Sequence, residues 1–524
     1  MKIVIPMSGT GDRFRRAGYT EPKPLINVDG RPMIEHVIEM FPGEEDFVFI
    51  CNADHLRSSR LADVLKRAKP CGVIVEMQAH KLGPVHAVCQ ALDRLGDDEE
   101  VVVNYCDFGV DWDYGRFLAE TRARRAAGAI SAYRGFHPHS LGPTYYAYIK
   151  EHDNWLVEIR EKRAFTENRM EEYASAGTYY FANGGLVKRY FPLTMKERLE
   201  VNGEYYVSLV YNLLRRDGHQ TFIYELERFL QWGTPQDLEE YQYWSDYFAN
   251  GKVRLGGADD TPLADYTLVL MAGRGARFAR EGYRVPKPLI PVAGEPMVVQ
   301  AVRSLPRARR WGVIGLREHV ETHGIGGVLR RELGDCDMLS LDEVTEGQAC
   351  TALLGERFVD PDSSLLVAAC DNGMTWDSAT YRRMVADRSI DAIVWTFRRR
   401  ASLEHNPGAF GWVDDACGRV ARVSVKVPLS STPRNDHAIV GTFYFRRSGD
   451  FFSAVRAMLA AERRVNGEFY IDEALNVLLE AGKRVAAFEV TKYLGWGIPD
   501  DLRTFEYWQQ HFQRGRSPIR SHDR

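Results

Sequence analysis

The chain has 524 residues, 45% hydrophobic and 27% charged, with a formal net charge of −4. That length suits two or three domains with cores of their own, and the composition is that of a soluble globular protein. The slightly acidic balance argues against a nucleic-acid binder that depends on a bulk positive field. No apolar run approaches the roughly 18 residues of a membrane span, and the opening MKIVIPMSGTG reads as a strand rather than a signal peptide. The eight cysteines form no CxxC pair. Several sit in apolar runs such as VVVNYC and LLVAAC, as small buried hydrophobes do in a reducing compartment, so a cytoplasmic protein is expected.

MKIVIPM predicts a strand buried on both faces, and it runs straight into the loop Gly9-Thr10-Gly11. Glycines there let backbone N–H groups approach a phosphate with no side chain in the way. Arg13 follows closely. Lys23 sits between two prolines that fix the local backbone and present its ammonium at a defined place. RPMIEHVIEMF predicts a helix, EDFVFICN and GVIVEMQ strands, VHAVCQALDRL a helix, and EEVVVNYCD a strand closed by Asp107. An aspartate closing an apolar strand costs stability unless it is solvated or bound to something. TYYAYIKEHDNWLVEIREK reads as antiparallel strands. NGEYYVSLVYNLLRRDG reads as a helix ended by glycine, with Glu204 in its first turn. Alternating strands and helices predict an α/β fold with a mostly parallel sheet covered on both faces, and a ligand site beyond the carboxyl ends of the strands.

The pattern then recurs at a shift of 264 residues, Gly9 to Gly273. Arg13 is answered by Arg277, Lys23 by Lys287, Asp107 by Asp371, Gly177 by Gly441 and Gly233 by Gly497. So long a repeat means two domains of one architecture. The expected division is residues 1–250, a linker over 251–265, a second domain over 266–515 and a flexible basic tail over 516–524.

The GxGxRF…PKPLI signature, with the later GTYYF, NGEYY and WGTP segments, resembles the nucleotidyltransferases that make sugar nucleotides and related activated metabolites. The resemblance covers nearly all of both copies. It implies two tandem doubly wound cores, Rossmann-like and GT-A-like. It also implies transfer of a nucleoside monophosphate from an NTP to a phosphorylated small acceptor, with release of pyrophosphate, giving an activated precursor for surface polysaccharide. By resemblance, Gly9, Thr10, Gly11 and Arg13 hold the β- and γ-phosphates and Lys23 contacts the α-phosphate. Gly273, Arg274, Gly275, Arg277 and Lys287 repeat those roles. Asp107 and Asp371 hold Mg²⁺. Lys162 and its counterpart Lys426 bind the acceptor's phosphate. Glu204 and Glu468 are acceptor-side candidates, though a first-turn glutamate also simply complements a helix dipole. Gln78, five residues before Gly83, matches a glutamine that reads a pyrimidine base edge, while Gly83 and its counterpart Gly347 let the base or ribose approach. The implied partners are an NTP and a phosphorylated acceptor, with no nucleic acid, no membrane insertion and room for a homo-oligomer.

Three departures qualify this. A second metal aspartate, expected two residues before Gly233 and Gly497, is replaced by Gln231 and Gly495. Gln78 is answered by Asp342, an acceptor-only group, and Glu161 by Val425. The two copies are therefore expected to do different jobs. A glycosyltransferase is an alternative, with Asp111-Trp112-Asp113 as its DxD-type candidate. So is one catalytic copy beside a regulatory nucleotide-binding one.

Overall fold

A computed structural model describes residues 1–248, 255–257, 261–416 and 418–514. The chain divides into two compact units, Met1–Ser245 and Asp246–Arg524. Residues 251–254 and 258–260 of the expected linker, Cys417 and the expected basic tail lie outside the described residues.

The first unit is built on a nine-stranded sheet. Lys2–Met7 lies parallel between Phe47–Asn52 and Val101–Asn104, and Val73–Met77 adds a further parallel strand outside Phe47–Asn52. Lys2–Met7 sends Ile3, Ile5 and Met7 into one apolar layer and Val4 into the other. Burying each such side chain contributes roughly 1.5–3 kcal/mol, which explains why this strand reads as a continuous apolar run. Beyond Val101–Asn104 the sheet is mixed. Tyr173–Phe181 runs antiparallel to it and to Gly128–Tyr133, and Thr221–Glu225 lies parallel to Gly128–Tyr133. The hairpin Ala147–His152 and Trp155–Glu161 forms the far edge. "Mostly parallel" therefore holds for the half carrying the glycine-rich loop, and the other half is mixed.

The second unit repeats this strand order. Ala264–Met271 lies parallel between Ala308–Leu316 and Leu365–Ala369. His437–Phe445 is antiparallel to Leu365–Ala369, and Gly411–Ala416 with Arg419–Val425 forms the edge hairpin. Its first strand starts at Ala264, inside the stretch expected to be linker.

In both units a helix crosses the edge hairpin and is pinned to it by one asparagine. Asn212, on helix Val207–Arg216, accepts from Ile159 N at 3.1 Å and donates to Ile159 O at 2.9 Å. Asn476, on helix Ile471–Glu480, makes the same pair with Val423 at 2.9 and 3.0 Å. An amide side chain thus completes one step of a strand ladder and fixes which helix residues face which strand residues.

Two sequence expectations fail for local reasons. The predicted helix over VHAVCQALDRL is only Pro84–Cys89, because Ala91 leaves the helical region at φ −126° and ψ 15°. Glu204 precedes its helix, which begins at Val207. Asn202 and Gly203 both have positive φ, 54° and 79°, and close a tight turn in which Val201 and Glu204 exchange backbone hydrogen bonds. An Asn-Gly pair with this geometry reverses the chain and cannot start a helix. None of the seven described cysteines is in a disulfide, but Cys71 is exposed rather than buried. Among the described residues no helix is long and apolar enough to cross a membrane.

Asn212→Leu leaves a strand N–H and C=O unpaired and is expected to destabilise the first unit by about 2 kcal/mol. Chemical denaturation should show an earlier transition, and Asn476→Leu should do the same for the second unit.

Candidate functional site

In the first unit, the carboxyl ends of Lys2–Met7 and Val101–Asn104 open onto a cavity of about 520 Å³. Ser8 to Arg13 line one wall and Tyr105, Cys106 and Asp107 another, with Lys23, Gly83, Glu204, Tyr206 and Gly233 around them. Gly11 has φ 66°, while a side chain at Gly9 would meet nothing within 4 Å, so the loop is open there.

Lys23 begins a single 3₁₀ turn, Lys23–Leu25, between Pro22 and Pro24. Its ammonium makes a close ion pair with Asp107 Oδ2 and donates to Gly233 O at 3.2 Å. The ribbon that pairs Phe108–Asp111 with Arg228–Gln231 brings Gly233 there, and Trp232 N donates to Asp107 O at 3.1 Å. The second unit repeats the device. Lys287 pairs with Asp371 Oδ2, and Trp496 N donates to Asp371 O at 3.1 Å. Burial opposes the Lys287 charge, but Asp371 outweighs it and the ammonium pKa is raised. Burial and the adjacent aspartate push the Cys106 and Cys370 thiols up to about 12, so both stay protonated.

Lys162 and Lys426 close their strands in the left-handed region, with φ 56° and 65°. That conformation is uncommon for a side chain of this size, and both units adopt it. Lys162 Nζ donates to Tyr206 Oη, which donates to Glu204 Oε2, so the two acceptor-side candidates are joined through a tyrosine that the sequence reading missed. Lys426 instead donates to Ala409 O and lies 5.0 Å from the centre of the Tyr470 ring. Burial lowers its pKa, with Asp472 pulling the other way. Arg13 and Arg277 are exposed; Arg13 lines the cavity, and each lies within electrostatic reach of the matching tyrosine, Tyr206 or Tyr470.

Several expected residues sit elsewhere or act otherwise. Gln78 is exposed and is not among the lining residues, whereas His80 and Lys81 are. His80 Nε2 lies 3.0 Å from Ser8 Oγ. A Cβ on Gly83 would lie 2.7 Å from the backbone of Tyr205, and one on Gly347 would overlap Phe469 O. Both glycines are thus required by the close approach of the NGEYY and NGEFY backbones. Asp113 and Asp377 cap helices, accepting from Arg116 N and Thr380 N at 2.8 and 2.7 Å. The DxD-type candidate is therefore used as a helix start. Gln231 donates to Tyr146 Oη at 3.1 Å.

Among the described residues no three His, Cys, Asp or Glu side chains gather closely enough to hold a metal by themselves. Asp107, with 28% of its side chain exposed, still offers one carboxylate at the cavity wall. That donor set suits Mg²⁺, which is commonly held by one or two protein carboxylates together with substrate phosphates.

Asp237 was not anticipated. It follows the WGTP segment, accepts from Thr234 Oγ1 at 2.6 Å, and lies within electrostatic reach of Arg13 and Lys23. Burial raises its pKa to about 6. The Thr-Pro-x-Asp spacing after a glycine turn was the available signal.

A MobA-like NTP transferase domain model matches residues 3–171 and 267–469. The Bifunctional protein GlmU of Bacillus cereus (strain G9842) is 28% identical over 236 residues, covering 43% of this chain and 47% of that protein. The chain spans about half the length of the curated relatives it matches. The nucleoside-diphosphate-sugar pyrophosphorylase from Vibrio cholerae RC9 aligns at TM-score 0.38 and 20% identity, over 46% of this chain and 98% of that one. The inositol-1-phosphate CTP transferase from T. maritima aligns at 0.39 and 14%, over 48% and 98%.

Because its folded pKa lies above its ordinary 3.8, Asp237 contributes stability at acid pH that is lost as pH rises through about 6. Asp237→Asn should remove this dependence. Between denaturation at pH 4 and at pH 7, the variant should gain on the parent by about 2 kcal/mol. A difference that does not change with pH would mean that Asp237 is ionised throughout.

Proposed function

The chain belongs to the MobA-like NTP transferase domain family, and from that premise we propose that each unit is a nucleotidyltransferase moving a nucleoside monophosphate from an NTP to a phosphorylated small acceptor, such as a sugar phosphate. The observation that carries this is the repeated cation site. A proline-framed lysine is held against a strand-end aspartate beside a glycine-rich loop, at Lys23–Asp107 and again at Lys287–Asp371. In such a transfer an acceptor phosphate oxygen attacks the α-phosphorus in line, the α–β bridging bond breaks, and pyrophosphate leaves with the electron pair. Two anionic groups must meet, so catalysis rests on positioning and on fixed positive charge.

Backbone N–H groups of Gly9 to Gly11, with Arg13, cradle the β- and γ-phosphates. Lys23 meets the α-phosphate, and Lys162 holds the acceptor's phosphate. Mg²⁺ held by Asp107 and phosphate oxygens would neutralise charge on the leaving group. With no acid at Gln231 and Gly495, that metal would be weakly bound. Gln78, two residues from the cavity-lining His80, is the base-edge candidate, which makes a pyrimidine NTP the expected donor. The product is an activated donor of the kind surface-polysaccharide synthesis consumes.

Pyrophosphate release with each NTP and a panel of phosphorylated acceptors tests this. Lys23→Ala and Lys287→Ala should each remove one activity by a factor on the order of 10²–10³ in kcat. EDTA should abolish turnover and excess Mg²⁺ restore it. Full turnover in EDTA would remove the metal from the mechanism, and loss in Lys287→Ala alone would confine the chemistry to the second unit.

A further inference from the structure

The two acceptor-side lysines share an acidic neighbour, but the two units supply it from opposite walls. In the first unit Glu161 ends the second strand of the edge hairpin, directly before Lys162. Its Oε2 accepts a 2.6 Å hydrogen bond from Ser208 Oγ on the facing helix. The matching positions in the second unit are Val425 on the strand and Asp472 on the helix. The asparagine clamps give strand and helix the same register in both units. A third position changes with these two. Glu161 pairs across the sheet with Ala147, and Val425 with Gly411. A Cβ on Gly411 would collide with Asp472 Oδ2, so the carboxylate fills the space that the glycine vacates.

Asp472 is only 7% exposed. A carboxylate that deep costs stability unless something compensates, so Ser or Ala at 472 would have been the easier outcome of drift. The second unit instead keeps an acid here through three coordinated changes. A lysine and a tyrosine at matching positions flank the acid in both units. Glu161 interacts electrostatically with Lys162 and Tyr206, and Asp472 with Lys426 and Tyr470.

We propose that Glu161 and Asp472 are one positioning group, the fixed counter-charge that orients the acceptor-side lysine, moved from strand to helix in the second unit. This rests on the reading of Lys162 and Lys426 as acceptor-phosphate lysines. The move also leaves an apolar strand wall at Val425 where the first unit has a charged one at Glu161. The two units therefore discriminate acceptors at this point.

The test uses the full chain carrying Lys287→Ala, which silences the second unit, with the NTP and acceptor that give the fastest pyrophosphate release. Glu161→Val should raise the acceptor KM roughly tenfold or more, while kcat and the NTP KM change by less than about threefold. Adding Ser208→Asp and Ala147→Gly together should return the acceptor KM to within about threefold of the parent. Adding Ser208→Asp alone should not, because the Ala147 Cβ occupies the space the carboxylate needs. Thermal unfolding of each variant separates lost folding from lost positioning. Should Glu161→Val fail to fold, Glu161→Gln carries the same KM expectation. An unchanged acceptor KM in a folded Glu161 variant, or no recovery in a folded triple variant, overturns the proposal. A parent that releases no pyrophosphate with any pair overturns the functional reading beneath it.

Discussion

The contact between Lys23 and Asp107 is the constraint around which the first unit's site is assembled, and Lys287 with Asp371 plays that part in the second. Each pair closes a separation of 84 residues. With 21% and 28% of the Lys23 and Asp107 side chains exposed, Coulomb attraction is partly screened, and desolvation offsets much of the rest. The pair therefore adds little net stability. What it supplies is an ammonium held in a fixed place beside the glycine-rich loop, and under the proposed reaction little reorganisation would then be needed at the moment of transfer. The surrounding structure serves that end. Prolines hold the turn that carries Lys23, a parallel strand ends just before Asp107, and the Arg228–Gln231 strand brings the Gly233 carbonyl to the ammonium.

Much of this was legible in the sequence, because the elements that build the site are local and strongly patterned. Apolar runs such as MKIVIPM leave little choice but buried parallel strands, and Gly9-x-Gly11 with the PKP lysine names the loop and the cation directly. What escaped were features decided by long-range packing. The space beside Gly83 is filled by the Tyr205 backbone, more than 100 residues away, so its glycine requirement reads from sequence as ligand access. Asp237 looks like an ordinary first-turn acid until burial beside Arg13 and Lys23 is seen. Glu204 was misplaced for a different reason. The Asn202-Gly203 pair is itself a turn signal, and reading the segment as helix ignored it.

The duplication shows which constraints are separable. The positive φ at Lys162 and Lys426, the asparagine clamps, the Asn-Gly turns and the close glycine contacts at 83 and 347 recur together, because each fixes backbone that the others depend on. The side chains carried on that backbone are freer. Lys162 reaches Tyr206 while Lys426 reaches the Ala409 carbonyl, so the same backbone presents its ammonium differently.

Matching the two copies position by position makes Val425 look like the loss of an acid, and hence like decay of the second unit. In three dimensions the acid is present, on Asp472, with Gly411 opened to admit it. Decay would be expected to remove buried charge first, because uncompensated buried charge is among the costliest things a core can hold. The second unit instead keeps Asp472 and holds Lys287 charged against its burial through Asp371. Keeping Asp472 at that depth argues for a second unit under functional constraint, and under the proposed reaction the two units would differ in what they accept.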